Sequence, residues 1–117
     1  MEEFPEFLRN GMNAVKPDQQ SRGADGYIYD GIDGSQVILW QAEKEIITTL
    51  HTHDYDEWFL IVRGTFKGII GEEEISMGPG DEILIPRGIP HRGSYSAGFR
   101  SIHGFSAKRA DRDSTRQ

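Results

Sequence analysis

His51-Thr52-His53-Asp54-Tyr55-Asp56-Glu57-Trp58-Phe59-Leu60-Ile61-Val62-Arg63-Gly64 sets two histidines and a carboxylate within seven residues, then runs into an apolar, aromatic and β-branched segment closed by glycine. On an extended backbone, side chains two apart point to one face, so His51 and His53 project together. Glu57 has the same parity and reaches that face if the segment stays extended. Two imidazoles and a carboxylate converging on one point suit a borderline divalent ion such as Fe, Mn, Co, Ni or Zn. Tyr55 to Arg63 is the strongest strand signal in the chain. It places Glu57, Phe59 and Ile61 on one face and Trp58, Leu60 and Val62 on the other, with both faces at least partly covered.

Outward from this stretch the pattern stays β. Upstream, strands are expected at 26–30, around Val37-Ile38-Leu39-Trp40, and over 45–50. Downstream they are expected over 65–70, around Ile75 and Met77, over 82–85, and one or two within 95–105. Gly31 to Gly34, Gly71 to Glu74 and Gly78-Pro79-Gly80-Asp81 are turn signals. Residues 1–10 are expected to form a helical turn or an arm packing Phe4, Phe7 and Leu8, and Val15 is a candidate anchor for a short strand. The chain divides into an N-terminal arm and irregular segment (1–26), a β domain (27–105) and a polar tail (106–117). Short strands with Gly/Pro turns and no long helical period argue for an all-β sandwich or barrel.

At 117 residues the chain is one domain, and its 36% hydrophobic residues form no membrane-length run. The start, Met1-Glu2-Glu3-Phe4-Pro5, lacks the basic and apolar regions of a secretory signal. With no cysteine, metal ligands must come from His, Asp and Glu, and a cytoplasmic location is expected. A net charge of -6 disfavours nucleic acid and anionic membrane as partners. Lys108, Arg109, Arg112 and Arg116 are diluted by Asp111 and Asp113 and suggest a solvated tail.

His91 is the natural fourth ligand candidate, because Pro86-Arg87-Gly88-Ile89-Pro90 is a stiff turn able to aim its ring. Three imidazoles and one carboxylate sum to about -1, leaving a divalent site net positive and open to an anionic or chelating ligand. Candidate wall residues are Phe59 and Ile61 on the Glu57 side, with Ile83 or Ile85 opposite. Tyr27, Tyr29, Trp40, Tyr55, Arg87, Arg92 and His103 are candidate polar or aromatic pocket residues. His103 is expected to be a hydrogen-bonded or exposed strand histidine rather than a fifth ligand. Asp54 and Asp56 are expected to be exposed turn charges, one of which could orient an imidazole.

The segment around His51, His53, Glu57 and Gly64 resembles the first motif of the cupins. Gly80-Asp81-Glu82-Ile83-Leu84-Ile85-Pro86-Arg87-Gly88-Ile89-Pro90-His91 resembles the second, with matching spacing. The resemblance covers roughly residues 35–105. It implies a small jelly-roll (double-stranded β-helix) barrel of two facing antiparallel sheets, with His51, His53, Glu57 and His91 around one metal. Tyr95 stands where the second motif commonly carries asparagine, and Glu45 replaces the leading glycine of the first. These departures bear on the subfamily more than on the metal.

Cupins include dioxygenases, isomerases, decarboxylases, lyases and sensing domains. The resemblance therefore implies a metal-dependent enzyme acting on a polar or anionic small molecule, of dioxygenase or isomerase/lyase type. A non-catalytic ligand-binding or sensing domain is the alternative, and a storage or structural protein with a saturated metal is a third. An outward face carrying Trp40, Trp58, Leu60 and Val62 would point to a homodimer.

Overall fold

The computed structural model describes residues 4–15 and 24–111. Residues 16–23 of the expected irregular segment and the tail beyond Asp111, with Arg112, Asp113 and Arg116, lie outside the described residues. Among the described residues, nine strands follow in order: β1 (Asp25–Asp30), β2 (Gln36–Gln41), β3 (Ile46–His51), β4 (Glu57–Arg63), β5 (Phe66–Ile70), β6 (Glu73–Met77), β7 (Glu82–Ile85), β8 (His91–Tyr95) and β9 (Arg100–Phe105). They form two antiparallel sheets, of order β1-β2-β9-β4-β7 and β3-β8-β5-β6. Only the β1–β2 and β5–β6 hairpins stay within one sheet; every other connection crosses to the opposite sheet. This is jelly-roll winding. Neither sheet closes on itself, so the expected barrel is two open sheets facing each other.

The sheets form because period-two alternation supplies each with one apolar face. Along β4, Glu57, Phe59 and Ile61 are buried while Trp58 and Leu60 are half-buried and Val62 is exposed. Phe59, Ile61, Phe66, Met77 and Ile85 pack as one cluster between the sheets. A second cluster gathers Val15, Ile28, Ile38, Trp40, Phe99 and Phe105. Tyr95 packs against both.

Two glycines are required by geometry. Gly64 ends β4 at φ 81°, in the left-handed region, where an added Cβ would also press on Phe99. Gly93 lies beneath the Phe66 ring, where any side chain would displace it.

Several expectations are corrected. Trp40 faces inward with Ile38 and is 8% exposed, so it leaves the outward set. Trp58, Leu60 and Val62 remain on that face, and Trp58 lies in a cross-strand apolar row with two residues outside the expected set, since Val37 and Trp58 both pair with Gly104 and Trp58 pairs with Leu84. His91 does not merely follow a turn. It opens strand β8, which the glycine- and serine-rich sequence Arg92-Gly93-Ser94 concealed. Val15 forms no strand: Ala14 makes an isolated bridge to Tyr27, and the Val15 amide donates to the Gly26 carbonyl. In the arm, Phe4 is buried but Phe7 is 82% exposed, because a 3-10 turn at Glu6–Leu8 points it outward.

Candidate metal centre

His51, His53 and Glu57 do not share one strand. His51 is the last residue of β3, His53 lies in the connection, and Glu57 is the first residue of β4 in the opposite sheet. Simple parity therefore does not unite them; the chain crossing between sheets does. His91 is the direct cross-strand partner of His51. The connection bearing His53 is tied down at several points. The Gly88 amide donates to the His53 carbonyl, and the Arg87 amide donates to Asp56 Oδ1. Asp56 thus fastens the two motif loops together and orients no imidazole. Its own amide is held by Ser106 Oγ.

The three histidines bring their ligand nitrogens within 4.8 Å of one another, a group that could hold a metal ion. The Nδ1 atoms of His51 and His91 lie 2.6 Å and 2.9 Å from the carbonyls of Thr49 and Ile89. A carbonyl only accepts, so each Nδ1 carries the hydrogen and Nε2 is left with its lone pair. His91 Nε2 is buried and has no hydrogen-bond partner. A buried nitrogen lone pair without a partner is costly in a packed interior, and a cation answers it.

Glu57 Oε1 lies 3.6 Å from His53 Nε2 and 3.7 Å from His91 Nε2. These separations are too long for hydrogen bonds. Two donors about 2.1 Å from a common ion stand roughly 3.0–3.4 Å apart, close to what is observed. The other oxygen, Oε2, is 2.9 Å from His103 Nδ1, whose Nε2 is 2.8 Å from Ser101 Oγ. His103 is therefore the hydrogen-bonded strand histidine expected, and it is buried.

Electrostatics prepare the site for a cation. Burial, outweighing the field of Glu57, pushes the His53 ring down to about 4, and burial also lowers His51. Burial would raise Glu57, but the His103 hydrogen bond and the surrounding imidazoles together hold it below the usual carboxylate range. Near neutral pH the His51 and His53 rings are thus neutral beside the Glu57 carboxylate, the protonation state a metal needs.

These shifts fix a pH dependence. The unfolded His53 ring takes up a proton near 6.5, whereas the folded ring resists until about 4. The unfolded chain binds more protons in that window, so stability falls as pH drops. Glu57, lowered from 4.5, adds to the loss only further into acid. In chelator-treated protein we expect the melting temperature to decline from pH 6.5 toward 4, and to decline less in His53→Gln. Equal slopes would refute the His53 contribution.

A cavity of about 80 Å³ opens between the sheets at these residues. One water needs roughly 10–15 Å³ on the same measure, so the space admits a compact ligand group. Phe59 and, of the two alternatives opposite, Ile85 line it as expected, but Ile61 does not. Trp40, Arg92 and His103 are also present, while Tyr27, Tyr29, Tyr55 and Arg87 are not. Tyr27 and Tyr29 instead hold the arm, through an edge contact with Phe4 and a hydrogen bond to the Leu8 carbonyl. Tyr55 stacks on the His53 ring at 4.7 Å. Arg87 lies on the exposed side near Asp56.

The sequence did not announce Tyr95 or Arg109 as pocket residues. Tyr95 lines the cavity among Phe59, Phe66 and Phe99, and burial raises its hydroxyl well above its ordinary value, keeping it a neutral donor. Arg109 belongs to the segment expected to be a solvated tail. Gln36 accounts for the difference. Its buried amide accepts from the amides of Arg109 and Ala110 and donates to Asp30 and to the Ala110 carbonyl. All four hydrogen-bonding positions of one side chain are used, and the segment becomes a wall of the cavity.

Residues 38–97, half of the chain, match the family model for the cupin domain. The chain is a cupin. A comparison with curated proteins gives no match. Among solved structures, KdgF from Halomonas sp. is similar to this cupin with a TM-score of 0.71 and 18% identity, over 92% of this chain and 96% of that one. An RmlC-like cupin from Shewanella frigidimarina gives 0.72 and 16%, over 93% and 94%. Oxalate decarboxylase from Bacillus subtilis, which has Mn(II) centres, gives 0.61 and 20%, over 72% of this chain but 25% of its own length. At such identities the likeness is one of fold. Among the described residues no helix is long and apolar enough to cross a membrane.

Proposed function

We propose that this cupin is a metal-dependent enzyme acting on a small polar or anionic molecule, with His51, His53, Glu57 and His91 as ligands to one divalent transition metal. The observation that carries the reading is the buried, partnerless Nε2 of His91 among two further imidazoles and the Glu57 carboxylate, beside a cavity. Fe, Mn, Co, Ni and Zn all suit this donor set. When bound, such an ion would supply Lewis-acid polarisation of substrate oxygens or, as Fe(II), dioxygen chemistry.

The residues of the chain supply the rest. Arg92 and Arg109 line the cavity and favour an anionic group. The aromatic wall of Phe59, Phe66 and Phe99 limits water around it. Tyr95 offers a neutral hydroxyl as hydrogen-bond or proton donor. That hydroxyl favours turnover over the alternative, a cupin that only binds or senses a ligand.

Elemental analysis of protein purified without a metal-chelating tag is expected to find about one transition metal per chain. Screening small carboxylates and sugar acids, aerobically and anaerobically, is then expected to find turnover lost in Tyr95→Phe. Binding without turnover of any compound would favour the sensing reading, and metal-free protein unable to take up any of the five ions would end both.

We further propose a homodimer formed through the apolar row of Val37, Trp58 and Leu84, of which Val37 and Leu84 are 44% and 58% exposed. Light scattering is expected to give twice the chain mass, and Trp58→Glu to halve it. A wild-type monomer at working concentration would discard this interface.

A further inference from the structure

Ser101, His103 and Glu57 form a buried hydrogen-bonded chain directly behind the candidate ligands. A serine, a histidine and a carboxylate in a row suggest nucleophilic catalysis, but Ser101 is 0% exposed and no substrate can reach its hydroxyl. The chain has to act on what lies at its other end, which is Glu57.

We propose that His103, backed by Ser101, is a positioning residue that holds Glu57 as a one-oxygen ligand. The inference rests on the metal reading above. A carboxylate only accepts hydrogen bonds, so the 2.9 Å contact with Oε2 requires the hydrogen on His103 Nδ1. With Oε2 so engaged, Oε1 is the oxygen that faces His53 and His91, at 3.6 Å and 3.7 Å.

The imidazole is fixed from three directions. Phe59 stacks on it at 5.0 Å with planes 14° apart, and Phe105 at 5.8 Å and 12°. Ser101 holds Nε2 at 2.8 Å. The β4–β9 register supplies this arrangement, because Phe59 pairs directly with His103 and Glu57 with Phe105. The orientation of the carboxylate is therefore set by the sheet before any ion arrives. Three histidine nitrogens and one carboxylate oxygen leave two places on a six-coordinate ion for a ligand or water. A carboxylate released to bind through both oxygens would leave one.

The test uses the whole chain and cobalt(II) alone, with affinity measured by chelator competition and the visible absorption spectrum recorded on saturated protein. His103→Leu is expected to weaken cobalt about 10–100-fold and to change the spectrum. His103→Asn places an amide donor near the position of Nδ1 and is expected to recover most of both. Glu57→Ala runs in parallel, because it tests the underlying reading. If Glu57→Ala weakens cobalt and His103→Leu stays within twofold of wild type, the positioning role is overturned while the metal site stands. If Glu57→Ala itself changes nothing, the carboxylate is no ligand and both fall. Equal losses in His103→Leu and His103→Asn would mark a packing role only and also overturn the proposal. Should His103→Leu fail to fold, Ser101→Ala takes its place: a weaker cobalt complex with an altered spectrum supports the relay, and wild-type behaviour overturns it.

Discussion

Replacing His91 by alanine is expected to lower metal affinity by roughly two to three orders of magnitude while leaving the fold in place. Apparent binding free energies of four-ligand zinc sites run to about 10–16 kcal/mol, so one ligand's share is about 2.5–4 kcal/mol, or roughly 10²–10³ in affinity. His91 is the candidate whose ligand nitrogen is both buried and without a hydrogen-bond partner, so nothing in the protein compensates for its removal. The strand should tolerate the change. Backbone pairing of His91 with His51 and Ile70 needs no side chain, and alanine relieves a buried polar atom. Competition with a chelator of known affinity measures the loss, and circular dichroism monitors the fold. Arg87→Ala, on the exposed side of the same turn, serves as the control expected to bind as wild type. A His91→Ala protein that holds its ion as tightly as wild type would remove the central ligand from the assignment.

Phe59→Ala is expected to be the most destabilising single truncation in the molecule. Phe59 is 1% exposed and packs edge-on against Phe66 at 5.1 Å as well as stacking on His103. Truncating a phenylalanine this deeply buried costs about 3–5 kcal/mol, from lost transfer energy and the cavity left behind. For a domain of this size that corresponds to a melting temperature lower by roughly 10–25 °C. Thermal unfolding followed by circular dichroism gives the number, and a drop under about 5 °C would show that the core refills the space. The same change removes one of the two stacking partners of His103, so weaker metal binding should accompany it even below the melting transition.

How far the sequence reached differs between the strands and the site. Alternation in Glu57-Trp58-Phe59-Leu60-Ile61 identified β4 and its inward face correctly, because a half-buried strand prints a period of two directly on the chain. The same logic failed at β8. Gly93 and Ser94 carry little strand propensity, and their place is set by Phe66 and by pairing with β3 and β5. Val37-Ile38-Leu39-Trp40 is apolar at every position, so alternation says nothing about which side is which; Trp40 fits both a pocket and an outward face on sequence, and packing places it inside. In the tail, a row of charges gave no hint that one glutamine 73 residues upstream would bind the Arg109 amide.

By itself the sequence determined the all-β class, the cupin motifs and the three histidines of the candidate site, because these are properties of residue type and spacing. Tertiary structure decided how Glu57 meets them: the chain crosses from one sheet to the other between His51 and Glu57, so its convergence with the imidazoles is a product of winding and not of strand parity. Tertiary structure also decided the neighbours. Tyr95, Arg109 and the Ser101–His103 pair reach the site through sheet register and one buried amide, interactions between residues far apart in sequence that no local pattern encodes.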